Sequence, residues 1–122
     1  MNWLAVAIGG AIGSMLRYLL SLTLNQTSWP YGTWFTNLLG SFLIGFIFVW
    51  GREKGLLPPV VYTLLVTGMM GGFTTFSSFS LEVVQYLQTG EWERAFLYVL
   101  ASVGLGLCAV YLGLVVGRQF LS

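Results

Sequence analysis

The chain has 122 residues, of which 57% are hydrophobic and 7% charged, with a net charge of +1. A soluble domain carries about 25% charged residues, and this chain has too few to cover a water-facing surface. Its mean hydropathy of +0.83 points to the bilayer as solvent, and five Lys+Arg make no basic patch for nucleic acid.

Residue counts exclude further classes. Cys108 stands alone, so no internal disulfide or thiolate metal cluster can form. With no histidine, Ser-His-Asp, Cys-His and His-metal chemistries are absent. The four acids, Glu53, Glu82, Glu91 and Glu93, form no obvious catalytic pair, which argues against an enzyme.

Four apolar stretches each approach the roughly 20 residues that span a bilayer. The first runs from about Trp3 to Leu24, and no basic leader precedes it, so it reads as a retained helix. The second covers about Thr33 to Trp50, the third Pro59 to Leu87 and the fourth Arg94 to Leu121. The connections Asn25 to Gly32, Gly51 to Pro58 and Gln88 to Glu93 hold Gly, Pro or polar residues. Asn25-Gln26-Thr27 fits a glycosylation sequon, a triplet too common by chance to carry weight.

Within the first span, Gly9 and Gly13, and Gly10 and Ser14, are four apart, as are Gly113 and Gly117 in the fourth. Gly40, Ser41 and Gly45 lie in the second. Such spacing lets helix backbones approach closely in lipid. Four short helices bury little alone, which predicts a homo-oligomer. With four spans, Arg52, Lys54 and Arg118 share one side of the membrane. Arg94 lies on the other, joined by Arg17 if it snorkels. So small a bias leaves a single orientation and dual insertion both open.

The third span is about 29 residues, roughly 43 Å as one helix against an apolar core of about 30 Å. Its middle reads Gly71-Gly72-Phe73-Thr74-Thr75-Phe76-Ser77-Ser78-Phe79-Ser80. Paired glycines before Thr-Thr disfavour a continuous helix, and the hydroxyls suit the N-cap of a second half-helix. The expected break lies near 71–76. The first half should end near Gly71, where carbonyls from Gly71 to Thr74 suit a small cation. Amides and hydroxyls from Thr75 onward suit an anion. The plainer alternative is a kink with hydroxyls bonded to their own backbone.

Phe76 and Phe79 share a helix face, either as packing residues or as ring edges offering weak positive charge to an anion. Asn37, the one amide away from the ends of the apolar spans, either meets an ion or ties helices together. Arg17 reads as structural, its donors capping a neighbouring helix end. Glu82 lies one turn beyond Phe79, nearer the membrane edge, either solvated in a vestibule or holding a proton. Tyr98 and Ser102 are four apart and suit one polar path.

These residues resemble the CrcB/Fluc fluoride channel family, over essentially the whole chain. Three patterns carry the resemblance: Gly9-Gly10-Ala11-Ile12-Gly13-Ser14-Met15-Leu16-Arg17-Tyr18, Gly32-Thr33 through Thr36-Asn37 to Gly40-Ser41, and Gly71 to Ser80 followed by Glu82. The resemblance implies passive fluoride export across a bacterial plasma membrane by an all-α protein whose third transmembrane helix is broken. It implies an antiparallel, dual-topology homodimer with two pores. A central sodium ion would sit on carbonyls of Gly71 and Thr74 from both subunits. By the same resemblance Asn37, Phe76 and Phe79 are pore residues, and Tyr98, Ser102 and Glu82 belong to the path with Thr75 and Ser78. Gly106 stands where some relatives carry a second hydroxyl, and Ser78 where threonine is common. The alternative is a proton-coupled exporter of cationic compounds. That mechanism needs a membrane carboxylate, usually in the first span, where this chain has Arg17 and no acid.

Overall fold

A computed structural model describes residues 2–24 and 29–121; the Asn25-Gln26-Thr27 triplet lies outside them. Helix α1 is Asn2–Leu24. Helix α2 is Tyr31–Phe48, prolonged by wide π turns over Val49–Glu53. Helix α3 covers 59–73, as a turn of α-helix at Pro59–Thr63, π turns at Leu64–Met70 and a last α turn at Gly71–Phe73. Helix α4 is Phe76–Gln88 and α5 is Trp92–Phe120. Among the described residues four helical spans are long and apolar enough to cross a membrane, with α3 and α4 together making the third.

Local chemistry sets the ends. Pro59 opens α3 at a position whose amide has no helical partner anyway. Gly55 and Gly90 turn the chain at φ of 63° and 80°, which side-chain-bearing residues resist. The second span outruns the expected end at Trp50, because π turns carry Arg52 and Glu53 onward. There Glu53 accepts from both Nε and Nη2 of Arg118, at 2.9 and 2.7 Å. The Arg52 guanidinium lies 4.5 Å over the Tyr62 ring.

The chain breaks at Thr74 and Thr75, both extended, with ψ of 155° and 119°. The expected end near Gly71 is therefore corrected: Gly71 keeps helical angles and α3 runs on to Phe73. Gly72 serves packing instead. A Cβ on it would meet the Gly10 carbonyl at 2.6 Å and Ser14 Oγ at 3.0 Å.

The same close approach occurs in α1 at Gly9 and Gly13. A Cβ on Gly9 would strike the Leu64 carbonyl, and one on Gly13 the Met69 carbonyl. On the other side of the molecule α2 and α5 interlock. A Cβ on Gly45 would strike the Val110 carbonyl, and one on Gly113 the Phe42 carbonyl. These small-residue faces are thus consumed within one chain, so they are no argument for a second copy.

Candidate functional site

The break is held from outside by α2. Asn37 Nδ2 donates to the Thr75 carbonyl at 3.1 Å, and its Oδ1 accepts from the Thr75 amide at 2.8 Å. Between the two roles left open for Asn37, this geometry realises the helix tie. An interrupted backbone in lipid must find such partners. Gly40, one turn along α2, leaves room for the Thr74 methyl, which a Cβ would strike.

Each half-helix is finished by its own hydroxyls. Thr74 Oγ1 donates back to the Met70 carbonyl at 2.9 Å. Thr75 Oγ1 caps α4 by accepting from the Ser78 amide at 3.2 Å, and it lies 3.3 Å from Ser77 Oγ. The back-bonded reading thus holds for Thr74, and the N-cap reading for Thr75. On the α1 side, Arg17 Nε donates to the Gly72 carbonyl at 3.0 Å, capping the end of α3. That bond also corrects the idea that Arg17 snorkels to the membrane edge. It is half-buried and engaged at the break.

Beside the break lies a cavity of about 380 Å³. Asn37, Gly71, Thr74, Thr75, Phe76, Phe79 and Ser102 line it, with Ser41 and apolar side chains, and among the described residues no charged one does. The Phe76 and Phe79 centroids are 6.0 Å apart with planes at 48°. Phe79 is buried at 8% exposure, whereas Phe76 is 79% exposed on the open side of the chain. Ser102 Oγ is buried without a hydrogen-bond partner.

Ser78, Tyr98 and Glu82 do not line this cavity. Tyr98 and Glu82 belong to a neighbouring cluster toward the turn between α4 and α5. Glu82 accepts from the Tyr98 hydroxyl at 2.7 Å and from Thr33 Oγ1 at 2.9 Å. The two regions touch through Phe79, whose centroid is 5.1 Å from that of fully buried Tyr98. Thr33 was not expected to bond Glu82, although its place four residues before Asn37 puts both on one face of α2.

Four apolar helical spans, one interrupted beside an uncharged polar cavity, define an integral membrane protein. The family described as CrcB-like protein, Camphor Resistance (CrcB), matches residues 4–114. A "Fluoride-specific ion channel FluC" of Roseiflexus sp. (strain RS-1) is 48% identical over 97% of this chain and 98% of its own. Proteins of the same description from Flavobacterium psychrophilum and Magnetococcus marinus are 44% and 46% identical. In both, 93% of this chain and 94% of the relative are covered. The chain belongs to the CrcB family.

Proposed function

We propose that the protein is a fluoride-specific ion channel that passes fluoride out of the cytoplasm by passive conduction, without chemical catalysis. The observation that carries this reading is full-length kinship with proteins described as fluoride-specific channels. The cavity supports it. A small anion there meets neutral groups only: the unpartnered Ser102 hydroxyl and the rings of Phe76 and Phe79. Neutral contacts hold an anion weakly enough to release it. The exporter alternative needs a carboxylate free to exchange protons, and Glu82 is bound by Thr33 and Tyr98.

The finer reading is an antiparallel, dual-topology homodimer in the bacterial plasma membrane. Phe76, exposed beside the cavity, would then gain its missing wall from the second copy. A sodium ion would sit at the dimer centre on carbonyls of Gly71 and Thr74. The donors suit it. The Thr75 amide that would bond the Gly71 carbonyl in a continuous helix turns to Asn37 instead, freeing a neutral oxygen from the ladder. A bound cation would balance the negative ends of two half-helices.

The test is reconstitution of the full chain in liposomes loaded with fluoride. Efflux read by a fluoride electrode, without a proton gradient and far above chloride efflux, is the expected result. Proton-coupled uptake of a cationic dye without fluoride efflux would overturn the reading in favour of the exporter.

A further inference from the structure

Among the described residues two buried side-chain polar atoms lack a hydrogen-bond partner, Ser102 Oγ and Trp34 Nε1. Ser102 already belongs to the cavity. Trp34 is accounted for by nothing above. It follows Thr33 directly and precedes Asn37 by three residues, one turn of α2. Its ring packs on the cluster of Phe79, Tyr86, Ala95 and Tyr98. Within that cluster Phe79 faces the cavity and Tyr98 donates to Glu82, so the Phe79–Tyr98 pair bridges the two regions.

An indole N–H is a donor and nothing else, so only an acceptor can satisfy it. Left without one in a buried setting it is destabilising, and native structures seldom leave such a group unexplained. We propose that Trp34 Nε1–H is a fluoride-binding donor, a subsite between the Phe79 end of the cavity and the Glu82 cluster. The proposal rests on the fluoride-channel reading and adds a residue to its path. A small anion that sheds water needs a donor at each step, and fluoride, with its charge concentrated, gains most from one. Asn37 has one Nδ2 hydrogen and its carbonyl engaged by Thr75, so donors along this stretch are few. Thr33, the residue before Trp34, donates to the Glu82 carboxyl, and a neutral donor near that group offsets repulsion of an anion.

Two measurements on the full chain test this. In detergent, with ¹⁵N-labelled tryptophan, the Trp34 indole resonance is followed through titration with sodium fluoride and, separately, sodium chloride at fixed ionic strength. It should shift and saturate with fluoride and stay put with chloride. Phenylalanine replacements of Trp3, Trp29, Trp50 and Trp92 assign the resonance by elimination. In liposomes, Trp34→Phe keeps an aromatic ring and deletes the donor. Fluoride efflux should fall about fivefold, while Trp92→Phe, exposed at the start of α5, conducts normally. An indole resonance unmoved by fluoride overturns the subsite, whatever the flux. So does a folded Trp34→Phe protein conducting at the unaltered rate. If Trp34→Phe does not fold, the titration decides alone. Absence of fluoride flux from the unaltered chain would overturn the channel reading, a result separate from the titration.

Discussion

Phe76 and Phe79 illustrate what a sequence can and cannot say about a side chain. Their spacing puts two rings on one face of α4, and spacing alone equally suits packing. The structure separates their surroundings: Phe79 is sealed against Tyr98 while Phe76 lies open beside the cavity. If both act on an anion through ring edges, the quadrupole matters and bulk does not. Phe76→Ile and Phe79→Ile keep apolar volume and remove it. Fluoride efflux from liposomes should drop at least tenfold in each. Phe73→Ile, a change at a buried ring outside the cavity lining, should matter less. Wild-type efflux from either of the first two variants would return those rings to packing. Asn37 was legible as an outlier, the one amide far from the end of an apolar span. Its partner was not, because the partner is the backbone of Thr75, and no residue type announces a backbone contact.

At the scale of elements, the four spans and the interruption of the third were readable from length and composition. The break at Thr74 and Thr75 falls inside the expected 71–76, but the last residue of the first half was not readable, because glycine carries two meanings. It weakens a helix, and it also permits a neighbouring backbone to approach. Gly71-Gly72 suggested the first, and at Gly72 the second is what occurs, with Gly10 and Ser14 against it. The π turns over Leu64–Met70 leave no mark in composition at all. The glycines of α1 make the packing testable. A Cβ on Gly13 would press on the Met69 carbonyl and lie 2.9 Å from the Phe73 amide nitrogen, both backbone and neither able to yield. Gly13→Ala should therefore push α1 off α3 and destabilise the protein by about 1–3 kcal/mol. Gly10→Ala is the control, since the nearest atom to its new Cβ is an ordinary 3.8 Å away. Thermal denaturation in detergent should give a lowered midpoint for Gly13→Ala and little change for Gly10→Ala. Equal midpoints would mean that α1 and α3 tolerate separation.

On the scale of the whole molecule, the question is how the chain sits in the bilayer. Sequence alone offered two arguments for an antiparallel pair, and the structure alters both. The small-residue faces turn inward, onto the chain itself. Arg17 is engaged by the Gly72 carbonyl, so it no longer counts toward the opposite side. That leaves Arg52, Lys54 and Arg118 at one end and Arg94 at the other, a stronger lean than the sequence suggested. Arg118 is paired with Glu53 and Arg94 approaches Glu91, but acids contribute little to orientation, which follows Lys and Arg near the span ends. What favours a pair is now the exposed side of the cavity, where Phe76 lacks a wall. If that wall is an inverted copy, the chain must insert both ways despite its lean. It must then lie near a balance that one charge can tip. A cysteine-reactive probe on a tagged C-terminus, in a Cys108→Ser background, should label from both faces of the membrane in comparable amounts. Arg94→Gln should shift labelling toward one face and lower fluoride efflux, as inverted copies become scarce. Adding Lys54→Gln to it should restore both. Labelling confined to one face in the unaltered chain, with full fluoride efflux, would show that a single orientation suffices and that the wall beside Phe76 comes from elsewhere.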